Sequence, residues 1–172
     1  MAGIDWPLLQ GRCQQLALLA RATPDDSQGR SLMGIPRVAV FTLGGTIAMQ
    51  ATSGEGVAPA LSASDLLAVV PGLDEAGVEL RIQDVANKPG ASLSFSDLFG
   101  LADAISAASG DGFAGVVVIQ GTDTIEETAY LLDLLVASDA PVVVTGAMRN
   151  PSLAGPDGPA NILAAIRVAA SG

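Results

Sequence analysis

The chain has 172 residues, 49% of them hydrophobic, and its 18 acidic against 8 basic side chains give a net charge of −10. That length and apolar content suit one domain with a sizeable core, and the negative charge repels nucleic-acid phosphates and anionic membrane surfaces, so both are discounted as partners. Histidine is absent and Cys13 is the single cysteine. This excludes a Ser-His-Asp triad, a Cys-His dyad, a His-ligated zinc and an internal disulfide, and it suits a reducing, cytoplasmic compartment.

In chain order, residues 1–36 differ from the rest. "WPLLQGRCQQLALLARA" is weakly amphipathic and reads as a docking helix or as an upstream extension without a role, and "TPDDSQGRS" reads as a loop. The apolar stretch "LALLARA" is short and no basic cluster opens the chain, so neither a signal peptide nor a membrane span is expected.

From residue 37 to 172 a second unit is expected. "RVAVFTL" (37–43), "VELRIQDV" (78–85), "GVVVIQG" (115–121) and "PVVVTGA" (141–147) are strand candidates. The continuous apolar runs Val116–Ile119 and Val142–Val144 fit strands buried on both faces, as in a parallel sheet. Helical patterns fall at 62–70, 95–109, 124–137 and 158–170, with Ser62 or Ser64 as the cap of the first and Asp157 as the cap of the last. The alternation predicts an α/β fold: an open, mostly parallel, Rossmann- or flavodoxin-like sheet with helices on both faces.

Ligands of such sheets bind beyond the carboxyl ends of the strands. Three strands end there in unusual sequence: "GGT" (44–46), "GTDT" (121–124) and "GAMRNPS" (146–152). Gly44-Gly45 permits close backbone approach and leaves Thr46 facing the crevice. Thr124 with Glu127 fits a capping box, which leaves the Thr122-Asp123 pair without a structural explanation. Two threonines, an aspartate and backbone donors suit a threonine attacking a carbonyl, with N–H groups stabilising the oxyanion. The residues leave the base that would activate this threonine open. They show no metal constellation and call for no cofactor. Nucleotide binding ranks second, because neither G-x-G-x-x-G nor a Walker lysine follows the glycines.

"TLGGTIAM", "QGTDTIEETAYLLDLL" and "VVVTGAMRNPSLAGPDGPANILAA", in this order, resemble the bacterial-type L-asparaginase family over residues 37–170. The resemblance implies hydrolysis of asparagine to aspartate and ammonia, with glutamine as a further substrate left open. Thr46 matches the nucleophile that forms the acyl-enzyme. Thr122 and Asp123 match the companion threonine and the aspartate that grips the substrate's α-amino group. Backbone N–H groups of Gly45 and of Thr122, which follows Gly121, match the oxyanion hole, and the carbonyl of Ala147 matches the group that meets the departing amide. Ser92 matches the serine that binds the α-carboxylate, with Ser94 as the other choice.

Departures from the family pattern stand beside these matches. The loop after Thr46 has no tyrosine, and Gln120 stands where a histidine often precedes the GTDT motif. In the family the catalytic lysine and a smaller C-terminal domain lie beyond the position of Gly172, so the resemblance is to the N-terminal domain alone, in a short-chain form. Lys88, the sole lysine, reads either as a substitute for that lysine or as a solvated loop residue. A catalytically weak or inactive amino-acid-binding domain, or a subunit of an amidotransferase-like assembly, is the alternative reading. A homo-oligomer, dimer or tetramer, is expected from the apolar content and the family's paired subunits.

Overall fold

The computed structural model describes residues 34–45, 49–51, 57–59, 63–151 and 154–171. Its centre is a four-stranded parallel sheet made of β1 (Arg37–Thr42), β4 (Glu79–Asp84), β5 (Gly115–Ile119) and β6 (Val142–Thr145), in the order β4-β1-β5-β6. All four expected strands are present, each one to three residues shorter than its apolar run. A separate antiparallel pair, β2 (Met49–Ala51) with β3 (Val57–Pro59), was not expected. Three-residue strands leave too little alternation to stand out from a loop.

The helices are α1 (Ala63–Ala68), α2 (Phe95–Gly110), α3 (Ile125–Leu135) and α4 (Gly158–Ala170). Ser64 lies inside α1 rather than capping it, and Ser62 lies outside the described residues. Strand side chains alternate between two cores. Val38, Val40, Val117 and Ile119 pack under α1 and α4 with Leu66, Leu67, Ile162 and Ile166. Ala39, Phe41, Val116 and Val118 pack under α2 and α3 with Leu98, Leu101, Ile105 and Leu132. Burial from both sides is why β1 and β5 read as unbroken apolar runs. The edge strand β4 instead carries Glu79, Arg81, Gln83 and Asp84, charged and polar groups that blunt a sheet edge.

The strand order positions the site. After β1 the chain runs to α1 on one face and on to β4; after β5 it runs to α3 on the opposite face and on to β6. The connections diverge between β1 and β5, which makes the carboxyl ends of these two strands the place where the ligands of such sheets bind. Among the described residues no helix is long and apolar enough to cross a membrane.

Candidate active site

The turns after β1 and β5 meet backbone to backbone. Leu43 N–H donates to the Ile119 carbonyl at 2.9 Å, extending the strand pairing by one residue. Beyond it Gly44 and Gly45 adopt φ of 94° and 98°, in the left-handed region that side chains resist. A Cβ on Gly45 would stand 2.3 Å from the Gly121 nitrogen, and one on Gly44 would stand 2.7 Å from the Lys88 nitrogen. Both the turn and the contact therefore require glycine. Thr46, the expected nucleophile, follows directly and lies outside the described residues.

The segment after β4 follows the same turn. Val85 and Ala86 donate to the Thr42 carbonyl, and Lys88 N–H donates to the Leu43 carbonyl at 2.9 Å. A 3-10 turn, Gly90–Ser92, then packs on a second 3-10 turn, Thr122–Thr124. The residue of this segment that lies against the expected aspartate is buried Gly90, whose added Cβ would sit 3.2 Å from the Gly121 carbonyl oxygen and 3.5 Å from Asp123 Cβ. Ser92 is exposed on the same turn, two residues further on. Ser94 is occupied elsewhere: its hydroxyl and amide donate to Asp97 Oδ2 at 2.6 and 2.8 Å, and it accepts from Asp97 N–H, forming the capping box of α2.

One expectation needs correction here and another gains a detail. Thr124 stands at the N-cap of α3 but makes no side-chain cap bond. The preceding 3-10 turn reorients it, and its hydroxyl donates to the Gly90 carbonyl at 3.2 Å, tying the two turns together. Lys88 is a half-exposed loop residue, as one of its two readings has it, but it is not unpartnered: its Nζ donates to both Asp97 carboxylate oxygens, at 2.9 and 2.8 Å. Hydrogen bonds from the Lys88 ammonium, then from Ser94, hold Asp97 down at about 2.

Thr122 is half-buried and Asp123 exposed at the crevice mouth. The turn after β6 closes the third side. Gly146 and Ala147 are buried, and a Cβ on Gly146 would lie 2.6 Å from the Gln120 carbonyl oxygen and 3.2 Å from Thr122 Cγ2. Gln120, in the place of the family's histidine, is fully buried; its Nε2 donates to the Gly121 carbonyl at 3.1 Å while its Oε1 has no hydrogen-bond partner.

Asp157, expected as a helix cap, makes no cap bond to α4. Its carboxylate accepts instead from Met148 N–H at 3.0 Å and Arg149 N–H at 2.9 Å, across the loop. Those two amides, Met148 first, push its pKa below the ordinary carboxylate value. Pro159 at the start of α4 removes one of the backbone donors that an N-cap aspartate normally serves. Sequence reasoning missed the roles of Gly90, Asp157 and Asn161; the Asp-Gly-Pro start of α4 was the available signal for the second.

The fold thus defines an α/β domain in which the turns after β1, β5 and β6 meet at the carboxyl end of a parallel sheet. The model of the N-terminal domain of asparaginase matches residues 37–172, and the chain belongs to the asparaginase family. It is 40% identical over 141 residues to L-asparaginase 2-3 of Saccharomyces cerevisiae, covering 80% of this chain and 39% of that protein. With an L-asparaginase of Bacillus licheniformis it shares 41% over 137 residues, 78% of this chain and 42% of the other. A crystal structure of a probable cytoplasmic L-asparaginase from Campylobacter jejuni superposes with a TM-score of 0.72 at 34% identity, over 78% of this chain and 42% of that one. The chain therefore spans about 40% of the length of the relatives it matches.

Proposed function

We propose that the chain carries the crevice of an amidohydrolase that converts L-asparagine to L-aspartate and ammonia. Thr46 Oγ attacks the side-chain carbonyl carbon, the carbon–nitrogen bond breaks, and the threonine proton leaves with the nitrogen as ammonia. Water then attacks the acyl carbon, the bond to Thr46 breaks, and a proton of that water passes to the threonine oxygen. In this reading Asp123 meets the α-amino group, and Ser92 or the Gly90 backbone beside it meets the α-carboxylate. Gly45 and Thr122 N–H groups stabilise the oxyanion, and the Ala147 carbonyl faces the departing amide.

The observation that carries the reading is the backbone contact between Gly45 and Gly121, which joins the residue before Thr46 to the residue before Thr122. The identities to proteins named L-asparaginase support it. Ammonia release from asparagine by the full chain is expected to disappear in Thr46→Ala and Thr122→Ala while the far-ultraviolet dichroism persists. Equal release by parent and Thr46→Ala would refute it.

One observation favours a second reading. The sole lysine is engaged by Asp97 rather than free to activate Thr122, which fits a weakly active or inactive amino-acid-binding domain, or a subunit of an amidotransferase-like assembly. L-asparagine binding without ammonia release would mark that case. A cytoplasmic homo-oligomer, dimer or tetramer, completes the proposal. Exposed Tyr130, Leu134 and Met148 support it, and light scattering on the purified chain measures it.

A further inference from the structure

Asp157, at the N-cap position of α4, and Asn161, inside the helix, aim their side chains at the turn after β6. Asp157 Oδ1 accepts from Arg149 N–H at 2.9 Å, and its Oδ2 accepts from Met148 N–H at 3.0 Å. Asn161, one helical turn on, donates from Nδ2 to the Gly146 carbonyl at 2.9 Å and to Asp157 Oδ2 at 3.3 Å. Gly146, Met148 and Arg149 bracket Ala147, so the backbone is gripped immediately before and after it. The Asn161 amide hydrogens are both used, one on the turn and one on the aspartate. Arg149 Nη1 donates to the Gly155 carbonyl at 3.3 Å, closing the return loop around this grip.

We infer that Asp157 and Asn161 are positioning residues whose shared clamp fixes the Gly146–Arg149 turn and so holds the Ala147 carbonyl at the crevice. The inference rests on the asparaginase reading for the role of that carbonyl and on the hydrogen bonds alone for the clamp. The carboxylate is suited to the task because an ionised oxygen accepts more strongly from a backbone N–H than a neutral amide does. A carboxylate is ionised throughout the neutral range, and those same amides lower its pKa further. A displaced carbonyl alters the step in which the amide departs more than it alters the grip on the α-amino and α-carboxylate groups. Loss of the clamp therefore lowers kcat and leaves KM nearly unchanged.

The test compares the full chain with Asp157→Ala, Asp157→Asn and Asn161→Ala by residue-resolved amide hydrogen exchange and by ammonia release from L-asparagine. Exchange at Met148 and Arg149 is expected to rise at least tenfold in Asp157→Ala and less in Asp157→Asn, with Val116–Val118 unchanged. A merely structural role predicts equal acceleration at Val116–Val118; that result, or unchanged exchange at Met148 and Arg149, overturns the clamp. In turnover, kcat is expected to fall about tenfold in Asp157→Ala at near-constant KM, with partial recovery in Asp157→Asn. Equal kcat in parent and Asp157→Ala overturns the positioning role. A parent chain silent toward asparagine overturns the asparaginase reading and with it the role given to Ala147, while the exchange data still decide the clamp.

Discussion

Two walls of the crevice are held by different means. Between β1 and β5 the turns touch through glycine backbone, with Gly45 lying where any side chain would collide with Gly121. The wall after β6 has one such glycine contact, Gly146 on Gln120, and beyond it is held by the side chains of Asp157, before α4, and Asn161, within it. Backbone contact gives a rigid junction that tolerates no substitution, because the neighbouring atoms cannot move aside without breaking strand pairing. A side-chain clamp gives a junction that can be weakened in steps, since each hydrogen bond is lost separately. The junction of Gly45 with Gly121 therefore has no adjustable part, whereas the position of the Ala147 carbonyl is tunable.

The contrast is broken most directly at Gly45. Gly45→Ala combines a left-handed φ with a Cβ 2.3 Å from backbone, and a cost of about 4 kcal/mol follows from strain plus overpacking. Chemical denaturation checks it, and a loss below about 1 kcal/mol would show that the turn can shift. Gly146→Ala ranks next: its Cβ meets the Gln120 carbonyl oxygen at 2.6 Å without a positive φ, for about 2 kcal/mol. The clamp ranks below both, with Asn161→Ala expected to cost about 1 kcal/mol because two hydrogen bonds go but the Gly146 carbonyl keeps room to find water.

The smallest effect is the acid dependence of the Lys88–Asp97 pair. Asp97 titrates lower in the folded chain, at about 2 against an ordinary 3.8, so its stabilisation is present above the ordinary value and is lost as pH falls toward 2. The stability difference between parent and Asp97→Asn is expected to be level from neutral pH down to about pH 4 and then to shrink. Lys88 is half-exposed, and solvent screening keeps the difference small. Urea melts at stepped pH check this, and a difference that grows on acidification would contradict it.

How much of this was legible in the sequence follows from how local each signal is. The valine runs of β5 and β6 and the apolar periodicity of α2 and α4 are properties of consecutive residues, and the strands and helices stand where those patterns lie. The Gly-Gly-Thr and Gly-Thr-Asp-Thr turns were visible as departures from ordinary strand-to-helix connections. The place of Gly90 was not, because the residues it packs against are more than 30 residues away. Asp157 was read as a cap because position alone assigns an aspartate before a helix to capping. Its partners lie eight and nine residues upstream, on a turn that only the packed fold brings near. Lys88 and Asp97 are likewise joined by the fold of the intervening 3-10 turn.

In the proposed function the turns after β1, β5 and β6 form one site for an acidic or amide-bearing amino acid. The most direct measurement is a titration of the isotopically labelled chain with L-aspartate, followed by amide chemical shifts. The account predicts saturable shifts at Gly45, Gly121, Thr122 and Ala147, with Asp111 and Phe113 at the opposite end of the sheet unmoved. Shifts confined to that opposite end, or none at the three turns at saturating ligand, would contradict it.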